Sequence, residues 1–155
     1  MDIAIYTDGS SRGNPGPGGY GVVLISKQGH YKELSQGFRK TTNNRMELLS
    51  VIVALESLKK PGNEVCVFSD SKYVVDAVEK GWLKNWERKG FAKTKNPDLW
   101  QRYLRIAPTQ KVSFEWVKGH AGNKYNERCD LLAVKAATGK DLKIDKGYEM
   151  QHPTV

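Results

Sequence analysis

The chain has 155 residues, 39% of them hydrophobic, with 25 lysines and arginines against 17 aspartates and glutamates and a formal net charge of +8 at pH 7. That length suits one domain with a real core and is short for two. No apolar run of about 18 residues, basic-then-apolar leader or lipidation signal is present, so the expectation is a soluble, cytoplasmic protein that neither crosses nor anchors to a membrane.

The first apolar run, Ile3 to Tyr6, reads as a strand and is followed by a lone carboxylate, Asp8, and a glycine-rich stretch. Asp8-Gly9 is a turn dipeptide, and a plain hairpin accounts for it on local grounds. Gly16-Pro17-Gly18-Gly19-Tyr20-Gly21 also satisfies the dinucleotide fingerprint G-x-G-x-x-G. That fingerprint must open a helix, whereas these glycines run into Val22-Val23-Leu24-Ile25, a strand pattern, so the stretch is read as a loop between two strands.

Further strands are expected at Tyr20 to Ser26 and Tyr31 to Phe38, then a helix from Arg45 to Leu58 ended by Pro61-Gly62, and a strand from Glu64 to Ser69. Helices follow at Lys72 to Lys80, Lys84 to Arg88 and Asp98 to Arg105, a strand at Val112 to Val117, and a helix at Tyr125 to Ala137. Three leading strands followed by alternating helices and strands predict an α/β fold, a mixed sheet flanked by helices. One domain should span residues 1–137, with residues 138–155 a polar, partly ordered tail. Cys66 in an apolar run and Cys129 in the last helix fit buried free thiols in a reducing compartment, and neither spacing suggests zinc.

Charge is concentrated in one segment. Lys80 to Arg105 holds eight basic residues against two acidic ones, and three of the four tryptophans, Trp82, Trp86 and Trp100. A basic run is ordinarily a solvated face, but one interleaved with large aromatics suits a phosphate backbone with sugars or bases to stack on.

Three more acidic residues share Asp8's placement. Glu47 lines up with Val51, Ala54 and Leu58 on an apolar helix face, Asp130 lines up with Ala133, Val134 and Ala137, and Asp70 follows the Val65 to Phe68 run. Each has a structural reading: Glu47 as the partner of an Asn44 cap, Asp70 as a cap of the next helix, Asp130 as a tolerated edge residue. Together they are harder to dismiss, because four core-facing carboxylates repel one another unless a cation sits between them. Oxygen-only ligands point to a hard divalent ion, magnesium or manganese.

The stretches YTDGSSRGNPGPGGYG, TTNNRMEL, FSDSKYV and WVKGHAGNKYNERCDLLA, in this order and spacing, resemble the type I ribonuclease H family in its bacterial form, over Ile3 to Ala137. The resemblance implies a five-stranded mixed sheet in which the first and fourth strands are adjacent and parallel. It also implies hydrolysis of the RNA strand of an RNA–DNA hybrid with two divalent ions, Mg2+ or Mn2+, held by Asp8, Glu47, Asp70 and Asp130, with Asp8 bridging the two. His120, in Lys118-Gly119-His120-Ala121-Gly122, matches the family's mobile histidine, which shuttles protons or eases product release.

Substrate contacts follow from the same resemblance. Asn14, Asn43 and Asn44 match minor-groove readers, and Thr42 with Asn44 matches a pocket for a DNA phosphate, although Asn and Thr before a helix also serve as caps. The 2′-hydroxyl would tell the strand to be cut from the other. Lys84, Asn85, Trp86, Arg88 and Lys89 fall in the family's basic handle. Two departures stand out: Lys72 replaces the glutamine usual in bacterial relatives, and the stretch from Phe91 to Asp98 is short. The alternatives are a non-catalytic hybrid-binding protein and a strand-transfer or junction-resolving nuclease of the same superfamily. The expected form is a monomer.

Overall fold

The computed structural model describes residues 1–119 and 122–153. Strands β1 (Ile3–Ser11), β2 (Gly16–Ser26) and β3 (Tyr31–Thr41) pair antiparallel in chain order, joined by loops short enough for direct reversal. Helix α1 (Asn43–Glu56) then carries the chain across the sheet, so β4 (Glu64–Ser69) enters parallel to β1 on its far side. Helices α2 (Lys72–Glu79), α3 (Trp82–Arg88) and α4 (Pro97–Ile106) lead to β5 (Lys111–Trp116), parallel to β4. After α5 (Lys124–Thr138) come a two-residue strand β6 (Leu142–Lys143) and a short helix α6 (Lys146–Gln151).

The sheet order is β5-β4-β1-β2-β3-β6. The expected five strands are therefore joined by a sixth, in which Leu142 pairs with Gly37 of β3. Two residues carry no periodic signal, which is why the segment reads as tail.

Helix α1 is apolar around most of its circumference: Met46, Leu48, Leu49, Val51, Ile52, Ala54 and Leu55 are all buried. It lies between β1 and β2 on one side and α4 on the other, as an all-round hydrophobic helix must. Helix α5 covers the opposite face, over β1, β2 and β3. The glycine-rich stretch belongs mostly to β2, and only residues 12–15 form the loop. Its composition argues against a strand, but two of its glycines make room for α5: a Cβ at Gly19 would crowd the carbonyl oxygen of Ala133, and one at Gly21 would overlap that of Cys129.

The tryptophans divide. Trp100 is fully buried, its indole N–H donating to the Tyr73 hydroxyl at 2.9 Å, with Trp86 packed on it at 5.6 Å between ring centroids. Trp100 is thus core, and the stacking surface expected from three tryptophans contracts to exposed Trp82 and the free side of half-buried Trp86.

Candidate active site and nucleic-acid interface

The parallel pairing of β1 with β4 ends at Thr7 opposite Ser69, so the residues that follow, Asp8 still in β1 and Asp70 just past β4, stand beside each other. Asp8 itself lies inside β1, opposite Gly21 of β2. Helix α1 crosses β1 at Gly9, where an added Cβ would overlap the backbone nitrogen of Glu47. That close approach delivers the Glu47 side chain to Asp8. One carboxylate oxygen from each of Asp8, Glu47 and Asp70 lies within 4.8 Å of the other two. Asp130 follows Cys129 on α5, whose contact with Gly21 brings it close enough for its charge to act on Asp8.

The capping alternatives are filled by other residues. Thr42 caps α1, its hydroxyl accepting from the Arg45 N–H at 3.2 Å, and Ser71 caps α2, accepting from Val74 at 3.3 Å. Glu47 is only 6% exposed, and its Oε2 has no hydrogen-bond partner among the described residues.

Burial, then the charge of Asp70, pushes the Asp8 carboxyl up to about 8 against a partial offset from the Gly9 N–H, which donates to Oδ1 at 2.9 Å. Burial, then the charges of Asp8 and Asp70, holds Glu47 well above the usual carboxyl range. A cluster that shuns its own negative charge, presents oxygen donors alone and leaves a buried carboxylate oxygen unpartnered suits a hard divalent cation. His120 lies outside the described residues; Gly119 before it abuts the Asp70 carboxylate.

The three asparagines expected to face the minor groove gather about the start of α1. Asn14 Oδ1 accepts from the Asn43 backbone N–H at 3.1 Å, tying the loop after β1 to the exposed pair Asn43 and Asn44. Thr42, Asn44 and Asn14 line a cavity of about 460 Å3. Lys72, exposed at the start of α2, holds its ammonium 5.0 Å from the Trp116 ring centre, and the Trp116 indole N–H donates to the Asp70 carbonyl at 3.2 Å. Lys84, Arg88 and Lys89 are exposed on and after α3, about a half-buried Asn85. The short stretch that follows turns tightly, with left-handed backbone at Phe91, Lys93 and Asn96.

Two features had no signal in the sequence. Arg45, 1% exposed, forks onto Asp145 through Nε and Nη2 at 2.8 and 2.9 Å and onto Asp98 through Nη1 and Nη2 at 2.9 and 2.8 Å. These partners lie 100 and 53 residues away, beyond any local pattern. The segment expected as tail anchors there, since Asp145 also accepts from the Thr41 hydroxyl at 2.7 Å and caps α6.

A sequence model of the RNase H family matches residues 1–138. Ribonuclease H of Desulforamulus reducens is 57% identical over 149 residues, 93% of this chain and 92% of that protein. A solved type 1 RNase H carrying the type 2 active-site motif superposes with a TM-score of 0.79 at 34% identity, over 99% of this chain and 81% of the other. An RNase H1 solved in complex with an RNA/DNA hybrid superposes with a TM-score of 0.62 at 31% identity, over 94% of this chain and 99% of that one.

Proposed function

The chain belongs to the RNase H family, and from that premise we propose that it hydrolyses the RNA strand of RNA–DNA hybrids, with two divalent cations, magnesium or manganese, held by Asp8, Glu47, Asp70 and Asp130. The observation that carries this is the close carboxylate group of Asp8, Glu47 and Asp70, the first two buried and the third half-buried, with one Glu47 oxygen unpartnered among the described residues. When bound, the cations supply Lewis-acid activation of water and stabilise charge on the leaving 3′ oxygen, which gives 5′-phosphate and 3′-hydroxyl ends.

The chain's own residues set the geometry. Asp8 interacts with each of the other three carboxylates, which suits it to bridge two cations. The β1–β4 register and the contact of α1 with Gly9 hold three of these groups on separate rigid elements, so little reorganisation is left for the reaction. His120, one residue after Gly119, is assigned the proton-carrying or product-releasing role. Asn14, Asn43 and Asn44 read the minor groove, Thr42 with Asn44 receives a DNA phosphate, and Lys72, Lys84, Asn85, Trp86, Arg88 and Lys89 hold the duplex. Residues 1–137 form the catalytic domain of a cytoplasmic monomer. Among the described residues no helix is long and apolar enough to cross a membrane.

A non-catalytic hybrid binder would have no use for four acidic side chains at one point, and a strand-transfer or junction-resolving nuclease none for the asparagine readers beside a basic handle. The test is a labelled hybrid with magnesium, alongside RNA–RNA and DNA–DNA duplexes. RNA should be cut in the hybrid alone, and equal cutting of double-stranded RNA would sink the proposal.

A further inference from the structure

Trp116 opens the last of the sequence motifs, yet nothing in the proposed function uses it. It is 43% exposed at the end of β5, an edge strand of the sheet, so it adds little to the core. Its polar edge is turned to the acidic site instead, where the indole N–H donates to the Asp70 carbonyl at 3.2 Å. Building on the metal-dependent function proposed above, we infer that Trp116 is a positioning residue: it fixes the main chain at Asp70, so that the carboxylate is presented in the narrow geometry that magnesium demands.

Asp70 is the carboxylate that most needs such a hold. Asp8 lies within β1 and Glu47 within α1, whereas Asp70 stands between the last residue of β4 and Ser71, the cap of α2. The peptide groups on both sides of it are hydrogen-bonded. Before it, the Ser69 carbonyl accepts from the Val117 N–H at 2.9 Å. After it, the Ser71 N–H donates to Ser69 Oγ at 3.1 Å, and the carbonyl of that same peptide is the one Trp116 takes. A peptide is planar, so holding both planes sets the direction in which the Asp70 side chain leaves the backbone. Gly119 then limits its swing, since a Cβ there would stand 2.8 Å from Asp70 Oδ2.

The indole is held in turn. The Lys72 ammonium lies 5.0 Å from its ring centre, a cation–π contact. Lys72 and Asp70 flank Ser71, so the ring and the stretch it fixes brace each other. Trp116 is therefore bound to the site by two directed contacts rather than by burial. Loss of the N–H would leave β5 and the ring in place and release only the second peptide plane. Magnesium requires near-ideal octahedral geometry while calcium accepts a flexible one, so a loosened Asp70 costs the smaller ion more.

The experiment follows Mn2+ binding to the hybrid-free protein through the electron-spin signal of the free ion, with Mg2+ and Ca2+ as competitors. Two variants are compared with wild type: Trp116→Phe, and Trp116 replaced by benzothienylalanine, which keeps the fused ring and lacks the N–H. Both should bind Mn2+ and Mg2+ about three- to tenfold more weakly, with a smaller loss for Ca2+. The magnesium concentration at half-maximal cleavage should rise by the same factor, with KM for hybrid unchanged, and melting temperatures without metal should stay near wild type. Unchanged cation affinity in both variants would overturn the inference. So would a KM raised at saturating magnesium with cation affinity intact, which would make Trp116 a substrate contact. Equal losses for Mg2+ and Ca2+ beside a lowered melting temperature would also overturn it, by making Trp116 a general structural residue. A wild type that binds no Mn2+ would overturn this inference together with the metal-dependent function, whereas one that binds Mn2+ without cutting hybrid would refute the cleavage proposal alone.

Discussion

Arg45 and Glu47 sit two residues apart at the start of α1, both nearly inaccessible, and the chain treats their charges in opposite ways. The Arg45 guanidinium meets two carboxylates in four charge-assisted bonds and a weaker contact with Asn96 Oδ1 at 3.4 Å. The charges that act on Glu47 are those of other acids, offset only in part by the Gly9 N–H, and one of its oxygens meets no partner among the described residues. A buried charge is tolerated when it is paired, so the paired one is structural and the unpaired one is kept for a partner from outside the chain. The two sites should therefore separate stability from activity.

The largest effect is expected at the acidic site. Asp8→Asn, Asp70→Asn or Glu47→Gln should lower kcat by about a thousandfold or more, since several kcal/mol of charge stabilisation disappear and each 1.4 kcal/mol is tenfold. Without metal, Asp8→Asn and Glu47→Gln should melt no lower than wild type, because each removes a charge from a self-repelling group. Near wild-type turnover in magnesium would show that these carboxylates do not perform the reaction.

Arg45→Met should do the reverse. Removing one member of a buried pair strands the others, at a cost of about 3–5 kcal/mol, and here Asp145 and Asp98 would both be left without their partner. Urea unfolding measures the destabilisation, while kcat per folded molecule, taken well below the melting temperature, should stay close to wild type. Arg45→Lys keeps the charge without the fork and should fall between the two. A melting temperature unchanged in Arg45→Met would remove the distinction between the sites.

Acidity gives a subtler contrast, because the two sites shift carboxyls in opposite directions. Burial and Asp70 raise Asp8 from 3.8 to about 8, so without metal the native state binds more protons than the unfolded state between about pH 4 and 8. Stability from this site is complete below pH 4 and is lost as pH rises through 8. At Asp98, burial acts to raise the carboxyl, but the bonds and charge of Arg45 outweigh it and hold it below 3.8. Stability from Asp98 is present above about 3.8 and is lost as pH falls below it. In EDTA the melting temperature should therefore drop between about pH 5 and pH 8. That drop should shrink in Asp8→Asn and on adding magnesium to the wild type; an equal drop in all three would mean that another group causes it.

What could be read in the sequence follows the same division. Strand runs such as Val65 to Phe68 and the apolar helix after Arg45 have local periods, and the motif carboxylates stand out because they interrupt those runs. The Arg45 fork does not show, since its partners come from α4 and from the segment before α6 and no short window contains two of the three. Trp100 misleads for a related reason: a tryptophan among lysines looks like a stacking surface until Tyr73, Trp86 and Tyr103 are seen around it. Gly19 of β2 reads as loop because its purpose, the close approach of α5 at Ala133, lies on an element more than 100 residues later.

The smallest effect concerns exposed charge, where the same rule can be sharpened. Arg102 on α4 forks onto Glu56 at 2.6 and 2.8 Å. Among the described residues no ion pair holds Lys84, Arg88 or Lys89. If unpaired charge is reserved for an outside partner, these three bind phosphates of the hybrid and release its counterions, while Arg102 does not. Log affinity plotted against log salt should then flatten by roughly 0.9 for each phosphate that Lys84→Ala/Arg88→Ala no longer neutralises, with similar penalties on every hybrid sequence. Arg102→Ala should leave the slope as in wild type and cost at most about 1 kcal/mol of stability, as exposed pairs do. Cleavage at saturating substrate should hardly change in either variant, because the handle acts before the chemical step. Binding in calcium over a salt series tests both at once. Equal slopes for wild type and Lys84→Ala/Arg88→Ala would reduce the α3 cations to a solvated face, and a flattened slope in Arg102→Ala would break the link between internal pairing and structural role.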